Sequence, residues 1–479
     1  MPRVESWLIQ FIDHKKYKMI KYSVILLFLT FLGCDSSSST PVPVPPVVVP
    51  PVVVPPVAKL TDEELMDVLQ KETFNYFWTF AETNSGMARE RYFPSDPTFD
   101  QNIVATGGSG FGLMAIVSAM SRGYITKTQG VERLNKIANF LGTANRFHGA
   151  WPHWINGTTG NVIPFGTKDN GGDLVETSFL VAGMITVREY FKNGTTEEQA
   201  VAQKFDILWK GVDWKWYTNN QNKLYWHWSP NYDWQMNFPL EGYNECLITY
   251  VMAAASPTYP IASAAYHQGW ARSGAIVSAR TKYNLPLILK HNGAEEFGGP
   301  LFWAHYSYLG LDPNQLTDQY ANYWDLNSNH SKINYFYAVA NPKSFKGYGS
   351  DYWGLTASYS RNADGSTGYD AHMPSNDKGI ISPTAAICSI VYTPVESKAL
   401  MRNLYENFKS TAWGVAGFYD AHSQQFQWSS QNYLAIDQGP QMVMLENYRT
   451  GLLWRLFMNA PEVKQGLINL GFHSGKYGF

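Results

Sequence analysis

The sequence predicts an all-α domain of paired helices set around an axis. Three observations carry that expectation. Apolar residues recur at helical spacing in about a dozen segments. Alternating strand patterns are confined to Lys223–Trp228 and Phe418–Trp428. Long Gly-, Trp- and Asn-rich loops, such as Phe147–Gly172 and Lys223–Gly242, separate the helices, and loops beyond ~12–15 residues usually line a functional site.

Taken in order, Thr61-Asp-Glu-Glu64 has the form of a capping box, followed by Leu65, Val68, Leu69, Phe77 and Phe80 on one helical face. Further helices are expected over Gly110–Ser121, Val131–Leu141, Leu174–Phe191, Glu197–Trp216, Asn244–Ala255, Ile261–Arg280 and Leu316–Tyr323. Later ones fall on Ser331–Ala340, Pro383–Val391, Val395–Lys409, Pro440–Phe457 and Glu462–Leu470. No linker-like break divides residues 60–479, so these are read as one domain.

The first sixty residues read differently. A basic patch, His14-Lys-Lys-Tyr-Lys18, precedes the apolar run Ser23–Cys34, which is too short to span a bilayer and suits a secretory signal. Leu32-Gly33-Cys34 resembles a bacterial lipobox, with Phe31 where Leu is usual, so Cys34 is the expected lipidation site. An ordinary cleaved signal is the plainer alternative. Residues 35–59 carry Ser36–Ser39 and two copies of Pro-Pro-Val-Val-Val, a composition that favours an extended polyproline stalk. The expected organisation is signal and lipobox over 1–34, linker over 35–59 and a helical domain over 60–479, tethered at the periplasmic or outer face of a bacterial membrane.

Composition narrows the chemistry. The 479 residues carry a net charge of -2 and only 16% charged residues, against ~25% in a typical domain. That balance gives no footprint for nucleic acid. Three cysteines, Cys34, Cys246 and Cys388, cannot build a disulfide framework or a Cys-rich zinc site. The excess is aromatic, with 17 Trp, 30 Tyr and 26 Phe, and flat rings are surfaces on which pyranose faces stack.

Several motifs fail. Gly110-Phe-Gly112-Leu-Met-Ala115 fits a dinucleotide fingerprint but lacks a βαβ unit, and close helix packing is the better reading. P-loop, zinc-protease and serine-hydrolase signatures are absent from the sequence. His148 and His153 lack neighbouring carboxylates in sequence, which argues against a metal site. Asn362-Ala-Asp364-Gly365-Ser366 lacks the full ligand set of a calcium loop.

In a chain so poor in charge, carboxylates set among glycines and aromatics stand out. Asp169, Asp173 and Glu176 form one group, Asp173 and Glu176 sharing a helix face; the plainer reading is a cap and its capping-box partner. Glu245 is expected in a first helical turn behind Asn244 and after a loop bearing Tyr225, Trp226, Trp228, Tyr232 and Trp234. Rings beside a carboxyl desolvate it and raise its pKa toward that of a general acid. Asp437 precedes Pro440, which suits the first position of a helix, so a turn role competes with a catalytic one. Glu446, with Arg449 three residues on, reads as a structural ion pair.

Ala105-Thr-Gly-Gly-Ser-Gly-Phe-Gly, Gly172-Asp-Leu-Val-Glu-Thr-Ser-Phe-Leu, Tyr243-Asn-Glu245, Tyr352-Trp-Gly-Leu-Thr-Ala-Ser358, Ser382-Pro-Thr-Ala-Ala386 and Ile436-Asp-Gln-Gly-Pro440 with Glu446-Asn-Tyr-Arg-Thr-Gly resemble the glucoamylase-like domain of glycoside hydrolase family 144. The resemblance spans residues 60–479 and implies an (α/α)6 barrel and inverting hydrolysis of β-1,2-glucan without metal or organic cofactor. It also maps catalysis or substrate binding onto Asp169, Asp173, Glu176, Glu245 and Asp437. Where some relatives read W-G-L-T-A-S-D, this chain has Tyr359 after Ser358.

The resulting expectation is a monomeric endo-β-1,2-glucanase with Glu245 as general acid and Asp437 as base or water-orienting group. Trp151, Trp226 and Trp228 are expected to hold glucose units, and Asp169, Asp173 and Glu176 to bind glucose hydroxyls or share the base role. An exo-acting enzyme releasing sophorose from non-reducing ends is the alternative, and a non-catalytic glycan-binding lipoprotein is a more distant one.

Overall fold

The computed structural model describes residues 59–479; the signal, Cys34 and nearly all of the linker lie outside the described residues. The α-helices are α1 (Asp62–Trp78), α2 (Thr106–Arg122), α3 (Lys127–Thr143), α4 (Leu174–Phe191), α5 (Thr196–Lys210), α6 (Leu247–Ala255) and α7 (Tyr323–Ala340). They continue with α8 (Pro383–Cys388), α9 (Pro394–Asn407), α10 (Lys409–Ala412), α11 (Ala435–Thr450), α12 (Leu452–Met458) and α13 (Pro461–Asn469). The α1, α3 and α5 N-termini carry complete capping boxes from Thr61/Glu64, Thr126/Gln129 and Thr195/Glu198.

Two classes of helix build an (α/α)6 barrel. In α2, α4, α6, α8 and most of α11 nearly every residue is buried, as expected of helices enclosed by others. Helices α3, α5, α9 and α13 bury one stripe and expose the rest. The packing runs α11–α2–α4–α6 around the inside, and α8 returns to α11. Between α6 and α8 the inner position is taken by two 3-10 turns, Leu301–Ala304 and Tyr306–Tyr308. Ser307 Oγ accepts the Ile248 N–H on one side, and His305 bonds Ser389 Oγ on the other.

Gly110 and Gly183 explain how close two inner helices come. A Cβ on Gly110 would lie 2.3 Å from Phe179 O, and one on Gly183 the same distance from Gly110 O. The Gly110-x-Gly112 segment is therefore helix packing, as its sequence context suggested.

Some boundaries differ from the sequence expectation. Ile261–Arg280 is not one helix: a π turn over Ala265–Trp270 gives way to a 3-10 turn in which Ser273 has a φ of 52°. Leu316–Tyr323 begins instead as a short strand, Leu316–Thr317, paired with His473–Ser474 near the C-terminus. The Glu197–Trp216 helix stops at Lys210, and Pro440–Phe457 breaks at left-handed Gly451. The Lys223–Trp228 strand shrinks to His227–Trp228, which pairs with Gly172–Asp173. A five-residue hairpin, Ala357–Arg361 with Thr367–Ala371, lacked a clear alternating signal. Its turn contains Asp364-Gly365, and Asp364 accepts Ser366 N–H and Oγ–H, a turn function rather than calcium binding.

Candidate active site

Inner elements α2, α4, α6 and α11 bring the carboxylates together near their N-terminal ends. Asp173 is the N-cap of α4: its Oδ1 accepts the N–H groups of Val175 and Glu176 at 3.0 and 2.9 Å. Glu176 does not complete a capping box. Its carboxylate reaches across to α2 and accepts the Gly107 N–H at 2.7 Å. Burial and the neighbouring Asp173 raise Glu176 to about 7, against the opposing pull of His153.

Two histidines hold this group in place. His153 Nδ1 lies 2.9 Å from Asp173 Oδ2, and His227 Nδ1 lies 3.2 Å from Asp169 Oδ1 and 3.8 Å from Asp173 Oδ2. Burial disfavours charge on His153, yet Glu176, Asp173 and Asp169 together raise it to about 10. The sequence argument that no carboxylate accompanies the histidines is thus overturned by the fold. Possible ligand atoms of His153, Asp169 and Asp173 lie within 4.8 Å of one another. The same carboxylates raise His153, which favours an ion-pair network among these groups.

Glu245 lies two residues before α6 rather than in its first turn, and Asn244 Oδ1 accepts the Cys246 N–H. Its backbone carbonyl accepts the Ser307 hydroxyl. Burial, reinforced by Glu176 and Asp173, raises its carboxyl to about 7, a value suited to proton delivery near neutral pH.

Asp437 sits in the first turn of α11 and is buried; Pro440 lies inside the helix rather than at its start. Asp420, on the loop before His422–Ser423, faces it, and one oxygen of each carboxyl, Asp420 Oδ1 and Asp437 Oδ2, is buried without another partner among the described residues, within reach of a shared proton. Burial and the Asp420 charge push Asp437 well above the carboxylate range. Burial raises Asp420 to about 6, opposed by its bond to Asp437 and by the Tyr359 N–H at 2.6 Å. Buried Glu90 raises both Asp437 and Glu176, linking the two acidic groups electrostatically.

Tyr306 lies within electrostatic reach of both Asp437 and Glu245. Its hydroxyl is buried without a hydrogen-bond partner among the described residues. Burial, Asp437 and Glu245 all act to raise its pKa, so it senses both carboxyls.

The tryptophans divide. Trp151 is fully buried, its indole donates to Leu141 O, and Arg146 lies 4.1 Å over the ring. It is core, and the expected sugar contact at Trp151 is withdrawn because a covered ring has no free face. Trp226 is half-buried and parallel to His227 at 5.7 Å. Trp228 meets the edge of His148, which stacks on exposed Trp216 at 3.7 Å. Sequence reasoning missed Glu90, Asp420 and Tyr306; Asp420, in Gly417-Phe-Tyr-Asp-Ala-His422, meets the same Gly/aromatic criterion that selected the other acids.

Glu446 is structural, with partners other than Arg449. It accepts from Arg122 Nε at 2.5 Å, Ser118 Oγ at 2.8 Å and Gln70 Nε2 at 3.0 Å. Arg449 instead reaches Glu63 and Asp67 on α1.

Known proteins similar to this chain carry the same fold. The structure of an endo-beta-1,2-glucanase from Chitinophaga pinensis, in complex with sophorotriose and glucose, is 56% identical, with a TM-score of 0.85, covering 88% of this chain and all of that one. The chain belongs to that glucoamylase-like family. The family profile named Glycoamylase, described as "Putative glucoamylase", matches residues 237–461. An exo beta-1,2-glucooligosaccharide sophorohydrolase (non-reducing end) from Parabacteroides distasonis is 44% identical over 427 residues, 85% of this chain. The present chain spans 58% of that relative's length. An endo-beta-1,2-glucanase from Talaromyces funiculosus, at 12% identity and a TM-score of 0.59, shares the fold.

Proposed function

We propose that this chain hydrolyses β-1,2-glucan with inversion at the anomeric carbon. The observation that carries the reading is the placement of two raised carboxyls, Glu245 and Asp437, around the buried Tyr306 hydroxyl. The Chitinophaga relative, matched over its whole length, supports the substrate class. Glu245 gives its proton to the leaving glycosidic oxygen. Asp437 takes a proton from water attacking the opposite ring face, and C1 changes partner from the leaving oxygen to the water oxygen. Asp169, Asp173 and Glu176, fixed by His153 and His227, bind glucose hydroxyls, and Trp226 and Trp228 offer ring surfaces.

The curated Parabacteroides relative favours exo release of sophorose; the Chitinophaga relative, identical at more positions, supports endo attack. Product sizes at early times distinguish them: disaccharide alone means exo attack, and mixed oligosaccharides mean endo attack. Absence of new reducing ends from linear β-1,2-glucan, with tight binding by calorimetry, would instead indicate glycan capture.

The lipobox-like Leu32-Gly33-Cys34 and the stalk that follows support a lipid anchor outside the cytoplasm; a monomer is proposed with it. No helix among the described residues is long and apolar enough to cross a membrane. Incorporation of labelled fatty acid that disappears in Cys34→Ser tests the anchor, and sedimentation tests the monomer.

A further inference from the structure

We propose that Asp420 is a positioning residue for hydrolysis: its carboxyl shares one proton with Asp437, and the pair together forms the base that receives the water's proton. The inference rests on Asp437 being the base in the proposed reaction. Its support is geometric. Asp420 is 0% and Asp437 4% exposed, so neither carboxyl has bulk water to solvate a second negative charge. Among the described residues no N–H or hydroxyl donor reaches Asp420 Oδ1 or Asp437 Oδ2, which leaves them for a proton shared between the carboxyls. Two carboxylates cannot hydrogen-bond without a proton between them.

The surroundings fix this state. Asp420 Oδ2 is held by the Tyr359 N–H at 2.6 Å, from the strand Ala357–Arg361, so its other oxygen is oriented. Thr384 on α8 hydrogen-bonds Asp437. The other ionisable groups facing the pair are Glu90, Tyr306, Tyr359, Tyr369 and Cys388, with Arg91 beside Tyr359. Glu90 adds negative charge, which further favours retaining the proton; Arg91 lies 3.8 Å from Glu90 and moderates that effect.

The step balances simply. The pair begins with one proton shared between the two carboxyls; when it shifts onto Asp420, Asp437 presents a lone pair to water. As the water oxygen bonds to C1, its proton passes to Asp437, while the C1–O bond to the leaving sugar breaks and Glu245 protonates that oxygen. The pair ends with two protons and Glu245 with none; exchange with solvent restores both.

Two variants and one spectroscopic reading test this in the whole protein. Asp420→Asn keeps an acceptor for Tyr359 N–H and supplies a fixed donor to Asp437, so kcat on β-1,2-glucan should fall only ~10-fold. Asp420→Ala leaves Asp437 unoriented, and kcat should fall ~10²-fold or more with KM little changed, the scale of a general-base contribution. Equal kcat losses in both variants, or none in either, would overturn the proposal. The infrared difference spectrum of parent minus Asp420→Asn at neutral pH without substrate, in which the bands of Glu245 and Glu176 cancel, should show one protonated-carboxyl band. A difference spectrum without that band also overturns it, even if the alanine variant fails to fold. Failure of the glucanase reading would show separately, as a parent protein inactive on the glucan with the infrared band intact.

Discussion

Glu176 of α4 accepts the backbone N–H of Gly107 at 2.7 Å, so a candidate substrate-binding acid also closes the N-terminus of the neighbouring inner helix. The α2 N-cap residue, Ala105, has no side chain able to do this. Glu176→Ala is therefore expected to cost ~1 kcal/mol through the lost cap. It should also lower the His153 pKa, because Glu176 is the largest influence raising it. Thermal unfolding and NMR titration of His153 check the two effects separately.

Glu245→Gln removes the transferable proton but little volume. Turnover of β-1,2-glucan should drop ~10²–10⁴-fold while sugar binding persists. A glycosyl fluoride, whose leaving group needs no protonation, should lose far less. Asp437→Asn should impair both substrates, since water must be activated in either case. Equal losses on both substrates for Glu245→Gln would move the acid role to Asp173 or Glu176.

The pH profile of kcat/KM should be a narrow bell. Activity falls as pH rises through about 7, where Glu245 loses its proton. It falls again below about 6, as the Asp420–Asp437 pair approaches double protonation. Glu245→Gln should remove the alkaline limb from its residual activity. A profile flat from pH 5 to 9 would contradict these assignments.

Stability should decline on the alkaline side. His153 is raised from 6.5 to about 10, so its ion pairing contributes fully below 6.5 and is lost as pH rises toward 10. Glu176 and Glu245 are raised from 4.5 to about 7; the folded state holds more protons there, and stability again falls as pH rises through that window. Melting temperatures from pH 5 to 10 check the slope, and His153→Gln should flatten its upper part.

Gly110→Ala tests the close approach of α2 and α4. The added Cβ meets backbone at 2.3 Å, so the helices must separate, with an expected loss of ~1–3 kcal/mol. Chemical denaturation measures it, and a stability equal to the parent's would mean the helices part freely.

Much of the architecture was legible because the inner helices are apolar over nearly their whole surface: Leu174–Phe191 was placed to the residue. Helix ends were harder to place where tertiary contacts decided them. Leu316 joins a strand only because His473–Ser474 comes alongside, and Asp437 enters a helix because α11 starts before its proline. In the site, Asp173 and Glu245 stood out through aromatic and glycine-rich neighbours. The association of His153 with Asp173 is made by folding across 20 residues, and that of Asp420 with Asp437 by a loop facing a helix start. Trp151 misled for the opposite reason: its sequence neighbours resemble a binding loop, while Arg146 and Leu141 cover its ring.

The first described helix is fastened to the last third of the chain. Arg402 pairs with Asp62, Arg449 with Glu63 and Asp67, and Arg91–Tyr92 forms a ladder with Tyr433–Leu434. The ring of helices thus closes between its earliest and latest parts. A nascent chain emerging from synthesis has Glu245 long before Asp437, and no partial barrel contains both sides of the site. If Glu245 and Asp437 act as the proposed pair, catalytic competence marks the end of folding, and truncated or proteolytically nicked molecules that lose this closure lack that pair.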